Sequence, residues 1–81
     1  MSNKLWDARN QAFQQAIKAV RKEAGLTQEQ LANGLNKPQS YVSKYESGER
    51  KLTFWEVRDI CEVCETTIVK FNNLLNTFYK A

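Results

Sequence analysis

Residues 39–44 hold four side chains whose chemistry suits the edge of a nucleic-acid base: Gln39, Ser40, Ser43 and Lys44. A glutamine amide donates and accepts at once, which matches N6 and N7 of adenine. A lysine ammonium donates to O6 and N7 of guanine, and a serine hydroxyl is shorter and less selective. At helical spacing the pairs 39/43 and 40/44 stand one turn apart and share a face. The outward face of a surface helix ordinarily carries long charged side chains. This one carries an amide, two hydroxyls and one ammonium.

Positioning such a face requires a short helix held firmly from behind. Val42 and Tyr45 are three apart and point inward, and Gly48 closes the helix as a left-handed cap. Pro38 suits the first turn, where a missing N–H costs nothing. Upstream, Thr27 followed by Gln30 predicts a capping box at the start of another short helix. Leu31 and Leu35 share its inner face, and Ala32 is small enough for a close helix crossing. Asn36, Lys37 and Pro38 interrupt the two helices as a tight turn. A helix, a turn and a second helix with a polar outer face is the arrangement that puts one helix into the major groove of DNA.

The remaining elements follow from a 3.6-residue apolar period. A first helix is predicted from about Lys4 to Ala24, with Leu5, Trp6, Ala12, Phe13, Ala16, Ile17, Val20 and Ala24 on its stripe and Gly25 stopping it. The second runs from about Gln28 to Leu35 and the third from about Gln39 to Ser47. The fourth opens at Thr53, with Glu56 completing a second capping box, and ends near Cys64. The fifth opens near Thr67 and carries Ile68, Phe71, Leu74, Leu75 and Phe78. One proline and three glycines in 81 residues fit an all-α chain of one domain.

The stretch TQEQLANGLNKPQSYVSKYESGERKL resembles the helix-turn-helix of the Cro/repressor, or XRE, family of bacterial and phage regulators. The likeness extends from about residue 17 to 75, with residues 1–16 as an N-terminal helical extension. It rests on the T-Q-x-x-L-A opening, the S-x-V-S-K-Y-E-x-G second helix and the basic E-R-K-L that follows. Asn36 departs from the glycine common at the turn, yet asparagine tolerates the left-handed conformation at modest cost. The resemblance implies a five-helix domain of the lambda-repressor-like DNA-binding type that binds operator DNA as a dimer. It also implies that Arg21, late in the first helix, pairs with Glu46 near the end of the third.

On this reading Gln39, Ser40, Ser43 and Lys44 are the expected base contacts. Expected phosphate contacts are Gln28, Asn36, Lys37, Tyr41, Arg50 and Lys51. Gln28 lies in the first turn of its helix, where side-chain amide and helix N-terminus together suit a phosphate. Arg50 and Lys51 lie where the family contacts the backbone across the groove. Formal net charge is +3, modest for a nucleic-acid binder. Its distribution says more, since the last third is slightly acidic and the excess lies in the first two thirds. A dimer interface is expected at Trp55, Leu75, Phe78 and Tyr79, aromatics and leucine beyond what a small core needs. Phe54 is assigned to the core.

Cys61 and Cys64 form C-x-x-C. A zinc site needs four ligands, and the chain has no histidine and no second cysteine pair. A redox site of the thioredoxin kind needs a βαβ context. The two cysteines are therefore expected as small apolar core residues beside Val57 and Ile60, with no metal and no cofactor. Without histidine, paired carboxylates in a cleft or a glycine-rich phosphate loop, enzyme chemistry is not expected. No apolar run reaches membrane-spanning length and no signal peptide is visible, so a cytoplasmic, bacterial or phage-encoded protein is expected. Its expected partner is double-stranded DNA, with a toxin as the expected kind of protein partner, and no effector domain is expected to follow. The competing reading is a protein-interaction module that kept the fold and lost DNA binding.

Overall fold

Three helices open on a local signal that the sequence spells out, a threonine at the N-cap. The computed structural model describes residues 4–79, and their side chains from residue 7 onward; the side chains of Leu5 and Trp6 lie outside the described residues. Five helices follow in order: α1 (Lys4–Glu23), α2 (Gln28–Leu35), α3 (Gln39–Ser47), α4 (Phe54–Val63) and α5 (Ile68–Phe78). Thr27 and Thr53 each close a reciprocal capping box, with Gln30 and Glu56, and the Thr67 side chain accepts from the Lys70 N–H. α1 stops one residue earlier than its apolar period suggests. Ala24 lies exposed in the turn and outside the buried stripe.

Three of the four junctions share one device. The N–H of the left-handed residue at the helix end bonds to the carbonyl three residues back, and the next N–H bonds to the carbonyl five residues back. At α1 these are Gly25 to Lys22 and Leu26 to Arg21; at α2, Asn36 to Asn33 and Lys37 to Ala32; at α4, Glu65 to Glu62 and Thr66 to Cys61. The geometry requires a left-handed residue. Glycine supplies it at position 25 (φ 74°), asparagine at 36 (φ 59°) and glutamate at 65 (φ 57°). Glu65 is the ill-suited one, because its Cβ crowds the backbone in this region. Glu65→Gly is expected to raise unfolding stability by about 0.5–1 kcal/mol. Chemical denaturation checks this, and a loss of stability would mean that the Glu65 side chain contributes something this backbone geometry does not show.

α1 packs on α5 and α3, α2 on α3 and α4, and α4 on α5. The core is built from Ala16, Ile17 and Val20 of α1, Leu31 and Ala32 of α2, Val42 and Tyr45 of α3, Val57, Ile60 and Cys61 of α4, and Phe71 of α5. Phe13 meets Phe71 edge-on with ring centroids 5.6 Å apart, joining α1 to α5. α2 crosses α4 so closely that a Cβ on Gly34 would lie 2.6 Å from a methyl of Val63. Gly48 is constrained twice, by φ 88° and by the Gln14 amide packed where a Cβ would be.

Cys61 and Cys64 are buried and unlinked. Burial raises both thiols, Cys64 to about 11, so they stay protonated and poorly nucleophilic at neutral pH. Phe54 departs from its expected place in the core: it is 64 % exposed. It occupies the first position of α4, and the inward face of that helix is already filled by Val57, Ile60 and Cys61.

Candidate nucleic-acid interface

α3 is held from behind by a buried charge cluster. Arg21 of α1 donates from Nε to Oε2 of Glu46 at 2.7 Å and from Nη2 to Oε1 at 3.0 Å, and both residues are buried. The same guanidinium donates from Nη1 to the carbonyl of Leu26 at 2.9 Å, which fixes the α1–α2 turn. Gln28 donates from Nε2 to Oε1 of Glu46 at 3.0 Å. One carboxylate near the end of α3 is thus bound by side chains from α1 and α2, with the planar two-point geometry in which arginine is strong. The hydrogen bonding of Arg21 to the Glu46 carboxylate leads the causes that raise the Arg21 pKa further.

With that anchor in place, Val42 and Tyr45 turn fully inward and Gln39, Ser40, Ser43 and Lys44 all face out, exposed. The structure brings these four together on one side of the nine-residue helix, as their spacing requires. Pro38 stands one place earlier than expected, as the N-cap itself, with extended backbone (φ −70°, ψ 157°) and no side-chain acceptor. The first amides of α3 are therefore not covered by a capping side chain.

A second cluster sits where α3 and the following loop meet α4. Glu56 accepts from the backbone N–H of Thr53 at 2.8 Å, from Nη1 and Nη2 of Arg50 at 3.2 and 2.8 Å, and from the Tyr41 hydroxyl at 3.2 Å. The Arg50 guanidinium lies over the Tyr41 ring, 4.7 Å from its centroid, and the Lys37 ammonium lies 5.4 Å from the same centroid. Lys51 reaches back to α1 and donates to Oδ1 of Asn10 at 3.2 Å. Three expected phosphate contacts, Lys37, Tyr41 and Arg50, thus form one cluster, and Lys51 sits beside it in the sequence. Asn36, exposed, holds the turn. Gln28 is apart from them, with its amide turned to Glu46.

Sequence reasoning assigned Glu56 only a capping role and did not single out Asn10. The capping box was a local signal for Glu56. Nothing local pointed from Glu56 to Tyr41 or Arg50, or from Asn10 to Lys51.

The Arg50 hydrogen bonds, then the Thr53 amide, hold the Glu56 carboxyl down from 4.5 to about 2. Burial and the Glu56 carboxylate raise the Tyr41 hydroxyl, so it remains a neutral donor. A depressed carboxyl contributes stability that is complete above its unfolded value and lost as pH falls through its folded one. The contribution of Glu56 should therefore fade between about pH 4.5 and about 2. Glu56→Gln is expected to lower the melting midpoint at neutral pH and to flatten its fall across that acid window. An unchanged acid slope in the variant would show that other carboxylates govern it.

Of the expected dimer residues, Trp55 is 69 % exposed and Phe78 39 %. Leu75 is half-buried and packs on the core, and Tyr79 caps the end of α5 through its N–H to the Leu75 carbonyl.

A helix-turn-helix family model matches residues 17–71. Among solved structures, the chain is similar to an XRE-family like protein from Pseudomonas syringae pv. tomato str. DC3000. The two are 35 % identical, the match covers 95 % of this chain and 94 % of that one, and the TM-score is 0.81. No curated protein matches the chain significantly.

Proposed function

The chain belongs to the XRE-type helix-turn-helix family of DNA-binding regulators, and from that premise we propose that it is a repressor that binds a palindromic operator as a homodimer in the cytoplasm of a bacterium. The observation that carries this reading is the outer face of α3. Gln39, Ser40, Ser43 and Lys44 stand exposed on a helix whose other side is fastened by the buried Arg21–Glu46 pair. A helix that reads base edges must hold its side chains steady at the floor of the groove, and this one is secured to α1 and α2 at once. Lys37, Arg50 and Lys51, with Asn36 and the Tyr41 ring, flank it as the backbone-contacting set. Gln28 contributes from behind, by steadying Glu46.

Selection of bound duplexes from a random library tests the proposal. The expected result is a two-fold symmetric sequence with half-sites about one helical turn apart, and an affinity that falls steeply with salt as phosphate counterions are released. A chain that enriches no sequence and shows no salt-dependent binding would favour the protein-interaction module, for which the exposed Phe54 and Trp55 are the specific observation. Among helix-turn-helix repressors of this size, a neighbouring integrase, methyltransferase or toxin gene separates a phage repressor, a restriction-modification controller and an antitoxin.

A further inference from the structure

The most exposed large apolar side chains of α4 have no role in the DNA-reading face. Phe54 and Trp55 are 64 % and 69 % exposed, and they line an open groove between α4 and the start of α5 together with Arg58, Asp59, Glu62 and Ile68. The Arg58 guanidinium lies over the Trp55 ring, 5.1 Å from its centroid. Arg58, Asp59 and Glu62 are exposed and take part in no ion pair among the described residues.

We propose that this face of α4 is the docking site for a second copy of the chain, packed antiparallel across a two-fold axis that passes between Arg58 and Asp59. It deepens the homodimer of the reading above and rests on it. The reason is a self-complementary order of side chains. Positions 55, 58, 59 and 62 recur at i, i+3, i+4 and i+7, so they share one face of α4. About an axis between 58 and 59, position 58 of each copy meets position 59 of the other, and position 55 meets position 62. Arg58 then faces a carboxylate twice, once from each copy. Trp55 lies against the Glu62 stem, with its indole N–H directed at that carboxylate. Phe54 and Trp55 leave water, and the cation–π contact already holds Arg58 in place for its partner. A chemically unrelated partner has no need of this mirrored charge order. The antiparallel pairing sets the two α4 N-termini roughly 14 Å apart along the helix axis. Each follows directly on an Arg50–Lys51 loop, so the two DNA-facing loops lie side by side.

A charge-swap series read by sedimentation, with circular dichroism as the check on folding, tests this. At micromolar concentration the wild type is expected at twice the 9.4 kDa chain mass. Arg58→Glu and Asp59→Arg are each expected to halve that mass while keeping native helicity, and the two together to restore it. A monomeric wild type overturns the proposal. So does a dimer that Arg58→Glu leaves whole while Leu75→Gln with Phe78→Gln dissolves it, and so does a double variant that stays monomeric. DNA binding is measured separately on the same samples. A charge swap that restores the dimer of a chain with no affinity for DNA supports this interface and removes the operator reading alone.

Discussion

Glu46→Ala is expected to cost about 3–5 kcal/mol of folding stability, the penalty for leaving one partner of a buried pair uncompensated. Three donors lose their acceptor at once: Nε and Nη2 of Arg21 and Nε2 of Gln28. The guanidinium cannot shed its charge, and its side chain is only 10 % exposed. A domain of this size has on the order of 4–12 kcal/mol in total, so the loss leaves a marginal fold. Denaturant midpoints check the magnitude, and a change under about 1 kcal/mol would mean that the pair behaves as a surface one. A second variant separates stability from positioning. Arg21→Met with Glu46→Leu replaces both charges by apolar groups of similar reach, which is often near neutral for stability. It also removes the two-point geometry and the link to the Leu26 carbonyl. Recovered stability with weakened operator binding would assign the pair to orienting α3. Recovery of both would leave it a packing device.

Lys44→Ala and Gln39→Ala are each expected to weaken specific DNA binding by about 1–3 kcal/mol while sparing non-specific binding, because a base-edge contact discriminates and a phosphate contact does not. Both side chains stand exposed on α3, and their removal leaves the inward side of the helix untouched. Lys51→Ala is the contrast. It should weaken specific and non-specific binding alike and reduce the salt slope by about one phosphate. Binding isotherms on operator and scrambled duplexes at several salt concentrations distinguish the two patterns. Equal losses for Lys44→Ala on both duplexes would move Lys44 to the phosphate set. Arg50→Ala should behave less simply. It removes a cation from the loop and also frees Glu56 and uncovers Tyr41, so both stability and affinity should fall.

The elements of this protein were legible in the sequence because their signals act over a few residues. Thr27 with Gln30, Thr53 with Glu56 and the break at Asn36 to Pro38 each set a helix boundary through contacts one turn away. The apolar period decided which side of α3 faces inward, and with it the exposure of Gln39, Ser40, Ser43 and Lys44. Arg21 and Glu46 were paired only through the family resemblance, since they lie 25 residues apart and nothing local joins them. The rest waited for the tertiary structure. Tyr41 meets Glu56 across 15 residues, and Lys51 meets Asn10 across 41. Such meetings depend on how helices cross, and crossing is decided by packing. The same cause set the Gln28 amide against Glu46 and placed Phe54 in water. α4 had only one inward face to fill, and Val57, Ile60 and Cys61 filled it.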